Sequence, residues 1–179
     1  MEKYYTLEVA GLKRELLLCP VNDSLDIAAF IMFSDVELTI ACAKELLKVV
    51  PEFDILITAE SKGIPLAYEM SKQADKKYLL ARKSVKVYMN NPIGVEVKSI
   101  TTAKMQKLYL DAKDIAELKG KKVLIVDDVI STGESMLALE ELVKRADGKV
   151  VAKVAVLAEG EAAERTDIIF LQKLPVFPK

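Results

Sequence analysis

Val123-Leu124-Ile125-Val126-Asp127-Asp128-Val129-Ile130-Ser131-Thr132-Gly133-Glu134-Ser135 decides how this chain folds. Four apolar residues run into two adjacent carboxylates, and a turn of small residues then opens an amphipathic stretch. An uninterrupted apolar run suits a strand buried on both faces, as at the centre of a parallel sheet. Ser131 and Glu134 stand at capping-box spacing, which predicts a helix beginning at about Ser131. A strand that delivers carboxylates beside a helix N-terminus makes a site of two parts. Amide N–H groups at the turn can hold an anion, while the carboxylates take hydroxyls or a metal ion. A sugar bearing both a phosphate and free hydroxyls would suit both. The plain alternative is ordinary strand–turn–helix architecture with no ligand. Walker-B strands also end in acids, but the chain contains no G-x-x-x-x-G-K-[ST] loop and no G-x-G-x-x-G.

Working outward, residues 55–59 repeat the buried-strand pattern, and a helical pattern follows over 63–73 with Pro65 in its first turn. A helix is expected over 34–50, stopped by Pro51, and further strands over 78–81, 150–157 and 168–171. The helix after the turn should end at Asp147-Gly148. Residues 6–9 and 15–18 read as a hairpin around Ala10-Gly11, and 22–33 is mixed and apolar. Between 83 and 120 periodicity weakens, with strand-like segments near 95–100 and 105–110. Strand and helix alternate from Ser34 onward, which implies an α/β fold: a mainly parallel twisted sheet flanked by helices. Ligands of such sheets gather at the carboxyl ends of the strands. That rule puts Glu60-Ser61-Lys62-Gly63 and Asp127-Asp128 on one rim.

Composition narrows the chemistry. A length of 179 residues fits a single domain over 1–179. The net charge of −1, with no run of Lys or Arg, argues against nucleic acid as a partner. The longest apolar stretch, 27–33, is too short to span a bilayer, and 1–11 lacks the apolar segment of a secretory signal. A cytoplasmic location with no membrane partner is therefore expected. Cys19 and Cys42 carry no metal-ligand or redox spacing, and Cys42 falls in a core-facing helical pattern. The chain has no histidine, which removes Ser-His-Asp and Cys-His catalysis. What remains is carboxylates, lysines, backbone amides and a metal carried in by the substrate.

The segment from Val123 to Ser135 resembles the phosphoribosyl-diphosphate (PRPP) motif of the type I phosphoribosyltransferases: four apolar residues, two acids, two apolar residues, then a Thr-Gly turn ending in Ser or Thr. All thirteen positions are compatible with it. Glu134 departs from the second Gly of many purine members. Glu60-Ser61-Lys62-Gly63 is similar to the family's diphosphate-binding loop, which in adenine members reads acid-Ser-basic-Gly. The resemblance also implies a non-proline cis peptide there, at Glu60–Ser61. Taken alone, this tetrapeptide reads more readily as a strand–helix turn with a solvated lysine. Arg82-Lys83 matches the pair that opens the family's flexible β-hairpin loop, here 83–110, with strand-end surface charges as the alternative. Asn90-Asn91-Pro92-Ile93-Gly94 is turn-rich and suits the tip of that loop. Where many adenine members carry a Glu-Tyr pair, this chain has Lys98-Ser99-Ile100-Thr101-Thr102, closer to the xanthine and purine-regulator branch. No general base is identifiable on the loop.

The resemblance implies a purine phosphoribosyltransferase converting adenine and PRPP to AMP and diphosphate, with Mg²⁺ arriving on PRPP and a homodimer as the assembly. Asp127 and Asp128 would hold the ribose hydroxyls and the water shell of Mg²⁺. The 5′-phosphate would lie on the amides of Ser131, Thr132, Gly133, Glu134 and Ser135. Diphosphate would fall to the loop from Glu60 to Gly63, chiefly Lys62 and the amides of Ser61 and Gly63, and to Arg82 and Lys83. A hood from 1–33 and the C-terminal tail would cover a core of 34–171. Within it Phe30 is a candidate to stack on the base, with plain core packing as the alternative. Val129 and Ile130 would floor the base. Glu159 stands where 6-oxopurine members offer a Lys, and a carboxylate accepts from an exocyclic amine, which tilts the base toward adenine. Leu157-Ala158-Glu159-Gly160-Glu161 also resembles the purine-regulator branch. Two rivals follow: a PRPP-sensing regulator without catalysis, and the same chemistry on xanthine or hypoxanthine. The regulators add an N-terminal DNA-binding domain, and the roughly thirty residues before the first expected helix are too few for one.

Overall fold

The computed structural model describes residues 3–98 and 105–179. In chain order the elements are β1 (Tyr4–Val9), β2 (Leu12–Asn22), β3 (Leu25–Ala28), α1 (Val36–Leu47), β4 (Ile55–Ala59), α2 (Ile64–Ala74), β5 (Lys77–Ala81), β6 (Ile93–Lys98), β7 (Met105–Leu110), α3 (Ala112–Leu118), β8 (Lys122–Ile130), α4 (Glu134–Arg145), β9 (Lys149–Glu159), a 3₁₀ turn at Gly160–Glu164, β10 (Ile169–Leu174) and β11 (Val176–Pro178).

Five strands form the central sheet in the order β10-β9-β8-β4-β5, and every pairing in it is parallel. Alternate residues of β4 and β8 feed two cores. Ile55, Ile57, Val123 and Ile125 face α4 residues such as Met136 and Leu139. Leu56, Leu124 and Val126 face Leu38 and Leu46 of α1 and Leu66 and Met70 of α2. Both faces are covered, which is why these strands are apolar at consecutive positions instead of alternating.

β1, β2, β3 and β11 make a second, antiparallel sheet, so the hood draws on both ends of the chain. Its first turn uses Ala10 and Gly11 at φ 52° and 76°. Arg14 on β2 fastens the hood to α1: Nε and Nη2 donate to the two oxygens of Asp35 at 2.7 and 3.0 Å, and Nη2 also reaches Glu37 at 2.8 Å. Asp35 is the N-cap of α1 and accepts from the Leu38 N–H. The Arg14 guanidinium holds the Asp35 carboxyl below the ordinary aspartate range. β6 and β7 pair as an antiparallel hairpin. The segment 99–104 between them, with most of the Lys98-to-Thr102 departure, lies outside the described residues.

Three features differ from the expectations. β8 runs on to Ile130, so the acid pair lies within the strand; pairing of Asp127, Val129 and Ile130 with β9 carries it past the carboxylates. α4 begins at Glu134 instead of Ser131, because Gly133 takes φ 79° and no side chain caps the helix. The N-cap position is therefore Gly133 and not Ser131. The helix α3 was not expected: its seven residues make only about two turns, started by Asp111, which accepts from the Lys113 N–H.

Candidate active site

Because the central strands are parallel, the residues after β4, β5, β8 and β9 emerge on one edge. Asp128 is 2% exposed, and its Oδ2 has no hydrogen-bond partner. The nearby cation is Lys62, whose Nζ stands 3.8 Å from that oxygen, too far for a hydrogen bond. Asp127 Oδ1 accepts from the Asp128 N–H at 2.9 Å. Burial, and then the negative charge of Asp128, push the Asp127 carboxyl far above the ordinary aspartate range, while Lys62 pulls the other way. Two carboxylates crowded in this way, one of them with an orphaned oxygen, suit a ligand that brings hydroxyls or positive charge.

The loop after β4 packs directly onto this pair. A Cβ built on Gly63 would stand 2.6 Å from Thr58 Oγ1 and 3.0 Å from Asp127 Oδ1. Gly63 has an ordinary negative φ of −74°, so close approach and not backbone freedom requires glycine here. Thr58 was missed in the sequence. It is fully buried in β4 and its Oγ1 has no partner; the available signal was a lone hydroxyl in the run Ile-Leu-Ile-Thr-Ala. The Glu60–Ser61 peptide bond is cis, as the family resemblance implies.

Glu60 does not aim its charge at open solvent. Its Oε2 accepts from the Lys83 N–H at 3.0 Å and lies 3.2 Å from Arg82 Nε as an ion pair. These contacts, the Lys83 N–H foremost, hold Glu60 below the ordinary glutamate range. Arg82 Nη1 donates to the Tyr88 hydroxyl at 2.6 Å, and the Arg82 backbone bonds both ways with Tyr109. Glu60 thus clamps the base of the hairpin arm, while Lys62, with its side chain 55% exposed, remains the cation nearest the acids.

Ser131-Thr132-Gly133 forms the link from β8 to α4. A cavity of about 150 Å³ lies inside it, lined by Asp127 and by Val129 through Met136. The opening amides of α4 have no intrahelical acceptors and no side-chain cap, so their N–H groups are donors that an anion could take. Beside it a second cavity of about 500 Å³ is bounded by Ser131, Thr132, Glu134, Glu159, Gly160 and Arg165, among others. Burial raises the Glu159 carboxyl above its ordinary range, opposed by Lys62. Val129 is half-buried and Ile130 is 2% exposed. Phe30 is 3% exposed and packed into the core between hood and helices, which is the alternative considered for it; Ile31 and Phe33 beside it are the exposed apolar side chains. Among the described residues no three His, Cys, Asp or Glu side chains converge as a metal site. In the same residues no helix is long and apolar enough to cross a membrane.

The family model for the phosphoribosyl transferase domain matches residues 38–175. The chain belongs to this family. It is 36% identical over 110 residues to a hypoxanthine/guanine phosphoribosyltransferase of Methanocaldococcus sp. (strain FS406-22), covering 62% of this chain and 53% of the relative. It is 39% identical over 113 residues to the adenine phosphoribosyltransferase of Petrotoga mobilis, covering 60% and 59%. The chain spans about half the length of two of the hypoxanthine/guanine relatives it matches, 53% and 54%. In fold it is similar to the crystal structure of the adenine phosphoribosyltransferase from Thermoanaerobacter pseudethanolicus, with a TM-score of 0.62, 24% identity, and coverage of 76% of this chain and 79% of that one. The phosphoribosyltransferase fold therefore accounts for the parallel sheet and for the rim on which the two loops meet.

Proposed function

We propose that this protein transfers the phosphoribosyl group of PRPP to a purine, with adenine as the base, releasing diphosphate and forming the nucleoside monophosphate. One observation carries the reading: an acid pair, Asp127 half-buried and Asp128 buried with an unpartnered oxygen, stands between an amide-lined turn and a lysine-bearing loop on a single sheet edge. Asp127 and Asp128 hold the ribose hydroxyls. The amides from Ser131 to Ser135, with the Ser131, Thr132 and Ser135 hydroxyls, hold the 5′-phosphate. Lys62, with the amides of Ser61 and Gly63, takes the leaving diphosphate, and Arg82 and Lys83 stand at the root of the arm that closes over it. As the C1–diphosphate bond breaks and the base nitrogen bonds to C1, positive charge develops on the sugar and negative charge on the leaving group. The protein's part is to align the reactants and to offset those charges.

The donor set fits a magnesium ion held through water. Two adjacent carboxylates, one with a free buried oxygen, offer outer contacts to a hydrated ion, whereas a protein-only cage would need more ligands. When bound with PRPP, the ion supplies charge neutralisation of the diphosphate.

Glu159 supports adenine. It lines the cavity beside the phosphate turn, and its carboxylate would accept from the exocyclic amine. The hypoxanthine/guanine relatives favour a second reading, the same transfer to a 6-oxopurine. A homodimer in the cytoplasm belongs to both readings. The test is a panel of adenine, hypoxanthine, guanine and xanthine with PRPP and Mg²⁺, followed by product chromatography. Adenine should be converted fastest, and EDTA should stop the reaction. Preference for a 6-oxopurine would move the assignment to the second reading. Tight PRPP binding with no base converted would replace the enzyme by a PRPP sensor.

A further inference from the structure

We propose that Arg165 is a positioning residue of the 5′-phosphate turn, its guanidinium seated against Gly133 where a side chain would otherwise stand. This rests on the reading of the turn as a phosphate site. Gly133 stands at the head of α4 with φ 79°, a conformation that side chains resist. The second constraint is steric: a Cβ built there would lie 2.4 Å from Arg165 Nη1. The guanidinium therefore rests on the backbone of the turn.

It is held there on its other edge. Nε and Nη2 donate to the two oxygens of Asp167 at 2.9 and 2.7 Å. This fork-to-fork geometry fixes the plane of the guanidinium and turns the remaining nitrogen toward Gly133. Asp167 in turn accepts from Lys153 Nζ at 2.6 Å, and Lys153 pairs with Glu140 at 3.1 Å. The Lys153 side chain is 13% exposed, while its partners Glu140 and Asp167 are 32% and 50% exposed, so the link is anchored at its lysine. The contacts leave α4 at Glu140, cross to β9 at Lys153, and return through Asp167 and Arg165 to the N-terminus of the same helix.

Such a circuit can set the position of the turn against its own helix. It also adds a cation to a cavity that Glu159 and Glu161 border together with the Ser131 and Thr132 hydroxyls. A phosphate dianion entering there would meet Arg165 beside those carboxylates. The effect is confined to the phosphate end of PRPP, since Arg165 packs on Gly133 and the diphosphate loop lies across the acid pair.

Calorimetry with ribose 5-phosphate and with inorganic diphosphate, each with Mg²⁺, tests this alongside steady-state kinetics. Arg165→Ala should weaken ribose 5-phosphate and raise KM for PRPP by about tenfold, about 1.4 kcal/mol, with kcat and diphosphate affinity within about twofold. Arg165→Lys, which keeps the charge without the fork, should recover only part of the loss. Asp167→Asn, which frees the guanidinium, should shift ribose 5-phosphate in the same direction as Arg165→Ala. Gly133→Ala should do less harm in the Arg165→Ala background than in the wild type, because the steric conflict is gone. Equal losses for both ligands, or unchanged ribose 5-phosphate binding in folded Arg165→Ala or Arg165→Lys, would overturn the proposal. A wild-type protein that binds diphosphate but not ribose 5-phosphate would instead refute the phosphate turn itself.

Discussion

Replacing Asp127 by Asn should stabilise the ligand-free protein at neutral and alkaline pH while abolishing turnover of PRPP. Burial and the adjacent Asp128 raise the Asp127 carboxyl from 3.8 to about 8. Between those values the folded chain binds a proton that the unfolded chain has released, so stability falls as pH rises through this window. One pKa unit is worth about 1.4 kcal/mol, and the full rise corresponds at pH 7 to a deficit on the order of 4 kcal/mol. Asn removes the ionisation but still places an amide in a crowded site, at a cost of about 1–3 kcal/mol. The expected net gain is about 2 kcal/mol, or roughly 4–8 °C in Tm for a chain of this length. Calorimetric scans from pH 8 down toward pH 4 without ligand would measure it. The advantage of Asp127→Asn should shrink as pH falls, reach zero at roughly pH 5 where the wild-type deficit equals the cost of the amide, and become a loss toward pH 4. A variant less stable than wild type at pH 8, or a difference indifferent to pH, would refute the account. The same reasoning predicts proton release when Mg²⁺ and PRPP bind the wild type, measurable from heats in buffers of different ionisation enthalpy.

Three further substitutions probe the rest of the site. Gly63→Ala should drive a methyl group against Thr58 and Asp127, lowering stability by about 1–3 kcal/mol and raising KM for PRPP, as read by denaturant midpoint and kinetics. Phe30→Ala should cost about 3–5 kcal/mol as the loss of a core ring; a selective loss of base affinity with stability unchanged would restore the stacking role. Glu60→Gln should release Arg82 and the Lys83 N–H, exposing the arm over 83–98 to limited proteolysis. Because Glu60 is held below the ordinary glutamate range, its clamp is present at neutral pH and is lost as pH falls through that lowered value. The wild type should then come to resemble the variant only in acid.

Local sequence determined the strands of the central sheet, the acid pair, the two loops and the family, but not β3 or β11 of the hood. Buried parallel strands must be apolar at successive positions, so β4 and β8 announce themselves without reference to any partner. Strand–helix alternation then puts both loops on one rim. Tertiary structure alone decided how far β8 runs, because β9 supplies the pairing that carries it through the carboxylates to Ile130. It also decided that Phe30 is core and that Gly63 is glycine for want of space, since both depend on atoms brought in by other elements. Arg165 and Thr58 belong to the same class. Nothing near Arg165 in sequence marks it as a neighbour of Gly133; the return of the chain after β9 brings them together. Composition and spacing report what a segment can bury and how it can turn. The energy of a buried acid, an orphaned hydroxyl or a clamped guanidinium is set by what stands opposite, and that is a property of the fold.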